Sequence, residues 1–121
     1  MKRAHTDLEA WREGITLVKS VYDVTRTFPV EEKYGLTSQI RRAAISIPAN
    51  IAEGAARSTR KEFLQFLIIA RGSLSELETL FTIAGEVGYL ADGLFEKMTK
   101  QADRESSLLS GLIRSVRNQD S

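Results

Sequence analysis

The sequence predicts an all-α protein, an up-down-up-down bundle of four antiparallel helices. Three observations predict it. Apolar residues recur at steps of three and four along four separate stretches, the period of an amphipathic helix. No stretch shows the strict alternation of a half-buried strand. The stretches are separated by short connections rich in Pro, Gly, Ser and Thr, and short connections between helices imply antiparallel neighbours. At 121 residues the chain is long enough for a core without staples, and residues 1–121 read as one domain.

The first helix is expected over about residues 7–27, capped by Thr6 or Asp7, with Leu8, Trp11, Ile15, Val18 and Tyr22 as its inner stripe. Pro29 ends it, because proline disfavours helix in the residue before it. Residues 30–35 form a polar connection with Gly35 as its turn residue. Thr37 or Ser38 is then expected to cap a second helix running to about Ala56, with Ile40, Ala44, Ile47 and Ile51 inside. Pro48 sits in its middle and deprives the Ala44 carbonyl of its donor. The apolar period crosses Pro48 without a change of phase, so the expectation is one bent helix, not two.

The third helix opens at Ser58–Thr59, where Thr59 and Glu62 have the spacing of a capping box. Phe63, Phe66 or Leu67, Ala70, Leu74, Leu77, Phe81 and Ala84 make its inner stripe, and Gly88 stands where a C-terminal glycine belongs. The last helix runs from Asp92 to about Val116. Leu94, Phe95, Met98, Ala102, Leu109, Leu112, Ile113 and Val116 line one side of it. Glu105 falls inside that stripe and requires a partner or a place at its edge.

Two helices carry more apolar surface than one bundle can cover. From Gln39 onward the second helix has a single narrow polar stripe of Gln39, Arg42, Ser46, Asn50, Glu53 and Arg57. Residues 63–70 of the third are apolar almost all round. An outer helix of a monomeric bundle needs one apolar face. The surplus, Ile45, Pro48, Ala52, Leu64, Ile68 and Ile69, is therefore the candidate contact between copies of the chain. Asn50, Glu53 and Arg71 form a candidate structural polar network. In it Asn50 lies near the backbone that Pro48 leaves short of a hydrogen bond, and Glu53 pairs with Arg71 within or between subunits.

Function is less legible. There is no cysteine, which excludes disulfides and thiolate metal sites, and His5 is the one histidine. A single terminal histidine cannot serve a Ser-His-Asp arrangement, and no Glu-x-x-His pair of a carboxylate metal bundle exists. No glycine-rich phosphate loop occurs. The expectation is a protein that is not an enzyme and takes no cofactor or metal. With no apolar run of membrane-spanning length and no secretory leader, a cytoplasmic location away from any membrane is expected.

Net charge is only +1, but residues 33–71 hold seven cations against two carboxylates. Arg41, Arg42, Arg57, Arg60 and Lys61 are the candidate contacts to nucleic acid, RNA or DNA. No aromatic residues interleave with them for base stacking, so charge and shape are expected to dominate.

Tyr34-Gly-Leu, Gln39-Ile-Arg-Arg-Ala, Ser46-Ile-Pro-Ala-Asn-Ile-Ala-Glu-Gly and Ala70-Arg-Gly-Ser-Leu-Ser-Glu-Leu-Glu resemble the signature of the four-helix-bundle family of 23S rRNA intervening sequence proteins. The resemblance runs from Leu8 to about Val116. That family resembles in turn the accessory variability proteins of diversity-generating retroelements, pentameric barrels whose basic surfaces engage RNA and a reverse transcriptase. The resemblance implies a ring-like homopentamer, with RNA, a reverse transcriptase or another protein as further partners. The competing reading is a scaffold with no nucleic-acid role.

Overall fold

A computed structural model describes His5 and residues 8–119. It contains four α-helices, α1 (Glu9–Thr25), α2 (Leu36–Ala55), α3 (Arg60–Glu86) and α4 (Asp92–Asn118), with a short 3-10 turn at Val30–Glu32. Among the described residues there is no strand.

Each helix packs on its sequence neighbours, and α1 also packs on α4, while among the described residues the backbones of neither diagonal pair come within 8 Å, Cα to Cα. Close approaches fix the direction of each pair. Gly14 lies against Pro48 while Arg41 reaches Thr25, so α1 and α2 run antiparallel. Ser46 meets Ser73, and Gly54 meets Phe63 and Phe66, which makes α2 and α3 antiparallel as well. Gly85 against Phe95, and Glu13 against Arg104, complete the square. The result is the up-down-up-down bundle that the spacing predicts.

The core is one cluster drawn from all four helices. Leu17, Val21, Ile40, Ile47, Ile51, Leu67, Leu74, Leu77, Phe81, Met98 and Leu109 are at its centre. Each such side chain contributes about 1.5–3 kcal/mol on burial, offset largely by lost chain entropy.

Several local features follow the expected punctuation. α2 passes through Pro48 as one helix. Thr59 caps α3, its Oγ1 accepting from the Glu62 N–H at 3.1 Å and its hydroxyl donating to Glu62 Oε1 at 3.0 Å. Gly88 has φ +88°, and the Tyr89 and Gly88 N–H groups bond to the Ala84 and Gly85 carbonyls. That pair of bonds is a Schellman motif, and the left-handed residue it needs suits glycine.

Other expectations are corrected. The α1 stripe is rotated. Ala10, Gly14, Leu17, Val21 and Val24 point inward, whereas Ile15 is exposed and Leu8, Trp11, Val18 and Tyr22 are half-buried. The reason is close approach. A Cβ on Gly14 would lie 3.3 Å from the Pro48 Cβ and 3.2 Å from Glu105 Oε2, so the first half of that inner face uses the small residues Ala10 and Gly14. A reading weighted by large apolar side chains misses them. Thr6 and Asp7, the expected caps, lie outside the described residues, and α1 begins after Leu8.

The cap of α2 is also displaced. Neither Thr37 nor Ser38 provides it. The helix starts at Leu36, whose N–H donates to Glu32 Oε1 at 3.0 Å, while Glu32 Oε2 accepts from the Tyr89 hydroxyl at 3.1 Å. One carboxylate thus caps α2 and ties it to the segment after α3. On α4, Leu94 is exposed, and Glu105 has no edge position. It is fully buried, at 0% exposure, and among the described residues neither carboxylate oxygen has a hydrogen-bond partner.

Candidate functional site

The polar stripe of α2 lies along its junction with α3, so the two longest sequence motifs face one another across a groove. At mid-groove Ser46 Oγ and Ser73 Oγ are 2.8 Å apart. Asn50 Nδ2 donates to the Ser46 carbonyl at 2.8 Å and to Ser46 Oγ at 2.9 Å. Toward the α2–α3 connection the helices close up. Gly54 is buried against Phe63 and Phe66, where any side chain would meet the α3 backbone. At the other end the groove widens into a polar cavity of about 500 Å³ between Tyr34, Gln39, Arg42, Ser46 and Glu76.

Within one chain the expected Asn50–Glu53–Arg71 network does not form among the described residues. Asn50 joins Ser46 and Ser73 instead. Glu53 Oε2 accepts from Arg57 Nη2 at 2.7 Å, just beyond the end of α2, and both side chains are exposed. Arg71 is exposed and makes no ion pair among the described residues. The surplus apolar surface lets residues such as Arg71 face outward from a helix that reads as buried all round. Arg71→Ala is accordingly expected to change stability by no more than ~0.5 kcal/mol, the usual range for a surface site. A urea titration showing a loss of several kcal/mol would restore the buried-pair reading.

The five candidate basic residues separate into two kinds. Arg41 is structural. Its Nε donates to Thr25 Oγ1 at 2.9 Å, and its guanidinium stacks 4.3 Å from the Tyr22 ring centroid, pinning α2 to α1. Arg57 is held between Glu53 and the Phe66 ring, 4.8 Å from its centroid. Arg42, Arg60 and Lys61 are exposed and have no acidic partner among the described residues. Arg42 stands about 20 Å along α2 from its last residue Ala55, at 1.5 Å per residue. Arg60 and Lys61 open α3 beside the α2–α3 connection, at the other end of α2 from Arg42.

Of the candidate contact residues, Pro48 is buried within the chain against Gly14, which removes it from any outer face. Ile45, Ile68 and Ile69 are 43%, 40% and 51% exposed. Ala52 and Leu64 are half-buried. At 100° per residue Ile68 and Ile69 point to different flanks of α3, so the surplus is several patches and not one continuous face.

Sequence reasoning missed Tyr34. It is 89% exposed, lines the wide end of the groove, and has the Lys33 ammonium 5.5 Å from its ring centroid. Its signal was its position, an aromatic residue in a polar connection outside every apolar stripe. Among the described residues no group of three or more His, Asp or Glu is placed to hold a metal, and no helix is long and apolar enough to cross a membrane.

The fold and its polar groove define a small four-helix-bundle protein whose exposed Arg42, Arg60 and Lys61 have no acidic partner among the described residues. Residues 6–111 match the model of the 23S rRNA-intervening sequence protein family, and the chain belongs to that family. Among solved structures it is similar to a protein of unknown function of the S23 ribosomal protein family from Bacteroides thetaiotaomicron. The two share 22% identity over 87% of this chain and 95% of that one, with a TM-score of 0.81. That likeness speaks for the fold. No curated protein matches.

Proposed function

We propose that the chain is a non-enzymatic, homo-oligomeric RNA-binding module of the cytoplasm, a pentamer as the family resemblance implies. The observation that carries the reading is that Arg42 on the α2–α3 groove, and Arg60 and Lys61 in the first turn of α3, are exposed with no carboxylate against them among the described residues. Cations left free of intramolecular partners are available to phosphate, and repetition by symmetry multiplies them. The exposed isoleucines on α2 and α3 support association of copies. They also favour the second reading, a protein scaffold with no nucleic-acid role.

Fluorescence anisotropy with a labelled RNA hairpin at several salt concentrations separates the two, with light scattering on the same samples. Arg60→Ala/Lys61→Ala is expected to weaken binding at every salt concentration. The slope of log affinity against log salt should flatten by roughly 0.7–0.9 for each phosphate that the variant no longer neutralises. Both residues are exposed, so the fold and the oligomer should persist. An unchanged slope, or no binding by the unaltered protein at low salt, favours the scaffold.

A further inference from the structure

We propose that the wide end of the α2–α3 groove is a subsite for one nucleotide of a single strand, its base stacked on Tyr34 and its phosphate held by Arg42. The inference deepens the RNA-binding reading, on which it rests, by naming the form of nucleic acid taken at this point. Three structural features support it. Tyr34 is the most exposed of the large apolar or aromatic side chains, and no packing within the bundle uses its ring among the described residues. An aromatic face left in water beside a cation is a platform on which any base can stack. The Lys33 ammonium at 5.5 Å supplies that cation and adds positive charge at the ring.

Arg42 lines the same cavity with no carboxylate in ion-pair distance among the described residues, although Glu76 shares the lining. A free guanidinium is a bidentate donor to phosphate. Glu76 opposes phosphate on its own side of the cavity and accepts from base N–H groups. Anionic and base-edge chemistry are thereby placed on different walls. The cavity of about 500 Å³ has the size of a small-ligand site, and Gln39 and Ser46 add neutral polar groups beside Arg42. A duplex keeps its bases stacked inside and cannot place one on Tyr34, whereas an unpaired strand can. The subsite therefore distinguishes single-stranded from paired RNA, which the outer cluster of Arg60 and Lys61 does not.

The test compares a labelled single-stranded RNA 12-mer, a labelled duplex of the same length and a fluorescent adenosine monophosphate. The proteins are the unaltered chain, Tyr34→Ala, Tyr34→Phe, Arg42→Ala and Arg60→Ala/Lys61→Ala. Tyr34→Ala is expected to weaken single-strand binding about tenfold without altering the salt slope, in line with the size of base–aromatic stacking. Tyr34→Phe should bind as the unaltered chain does, and duplex affinity should be the same for all three. Arg42→Ala should flatten the salt slope for the single strand. Binding of the mononucleotide should survive Arg60→Ala/Lys61→Ala, which separates failure of this subsite from failure of the wider basic surface. Equal single-strand affinity for Tyr34→Ala and the unaltered chain overturns the proposal. So does an equal loss on the duplex, or a change in oligomer size for Tyr34→Ala, which would make the ring a contact between copies.

Discussion

Glu105→Met is expected to stabilise the bundle by on the order of 3 kcal/mol at pH 7. Glu105 is fully buried, and neither carboxylate oxygen has a hydrogen-bond partner among the described residues. Burial in the apolar interior, helped by the nearby Glu13 carboxylate, pushes its carboxyl from 4.5 up to about 8. The folded chain therefore keeps a proton that the unfolded chain releases above about pH 4.5. The unfolded state binds fewer protons in that window, so stability is fully present below pH 4.5 and falls as pH rises toward 8.

Each unit of pH in that interval costs about 1.4 kcal/mol. Above about pH 8 both states are ionised and the loss levels off. The Met variant removes the titration and fills a similar volume with apolar atoms. Urea denaturation at about pH 5, 7 and 9 should show the gap between the two proteins widening until the folded-state carboxyl ionises. Taking the difference cancels the contributions of the other carboxylates. Glu105→Gln should flatten the profile in the same way but stabilise less, because its amide keeps polar atoms in the same unpartnered place. A gap that stays constant with pH would mean that the carboxyl finds a partner in the folded protein.

Gly54→Ala is expected to destabilise the bundle by about 1 kcal/mol or more, against the helix propensity that favours alanine. Replacing a glycine inside a helix normally gains up to ~1 kcal/mol. Here the new methyl would stand 2.8 Å from the Phe66 Cβ, 2.9 Å from the Phe63 Cδ1 and 3.2 Å from the Phe63 carbonyl oxygen. A Cβ and a backbone oxygen cannot swing aside as a side-chain end can. The α2–α3 pair must separate, and overpacking of that kind costs ~1–3 kcal/mol beyond what propensity returns. Gly72→Ala is the control. Its site is exposed, with nothing within 4 Å of the new methyl, so it should stabilise by up to ~1 kcal/mol. Denaturation midpoints rising for both variants would show that propensity alone governs these positions.

The helices, their order and their antiparallel packing were legible because each carries a period that one strand or loop could not satisfy. Ile40, Ala44, Ile47 and Ile51 recur at that period and are buried, and Leu67, Ala70, Leu74 and Leu77 do the same on α3. The α2 polar stripe was equally legible, since Gln39, Arg42, Ser46 and Asn50 share one side of a helix whatever it packs against.

Tertiary structure alone decided what that stripe meets. Ser73 and Glu76 come from a helix that begins only after α2 has ended, and no local spacing pairs them with Ser46 or Arg42. The same holds for Arg41 on Thr25, for Glu32 capping α2 and for Arg71 left in solvent. Charge pairing depends on where two helices place their ends in space, and identity along the chain carries no such coordinate. The inner face of α1 shows the limit from the packing side. Ala10 and Gly14 are central because helices approach closely there, and hydrophobicity along the chain cannot report an approach distance. Sequence therefore determined the elements and their faces. Which faces meet, and which cations have no carboxylate partner among the described residues, was settled only when four helices closed into one bundle.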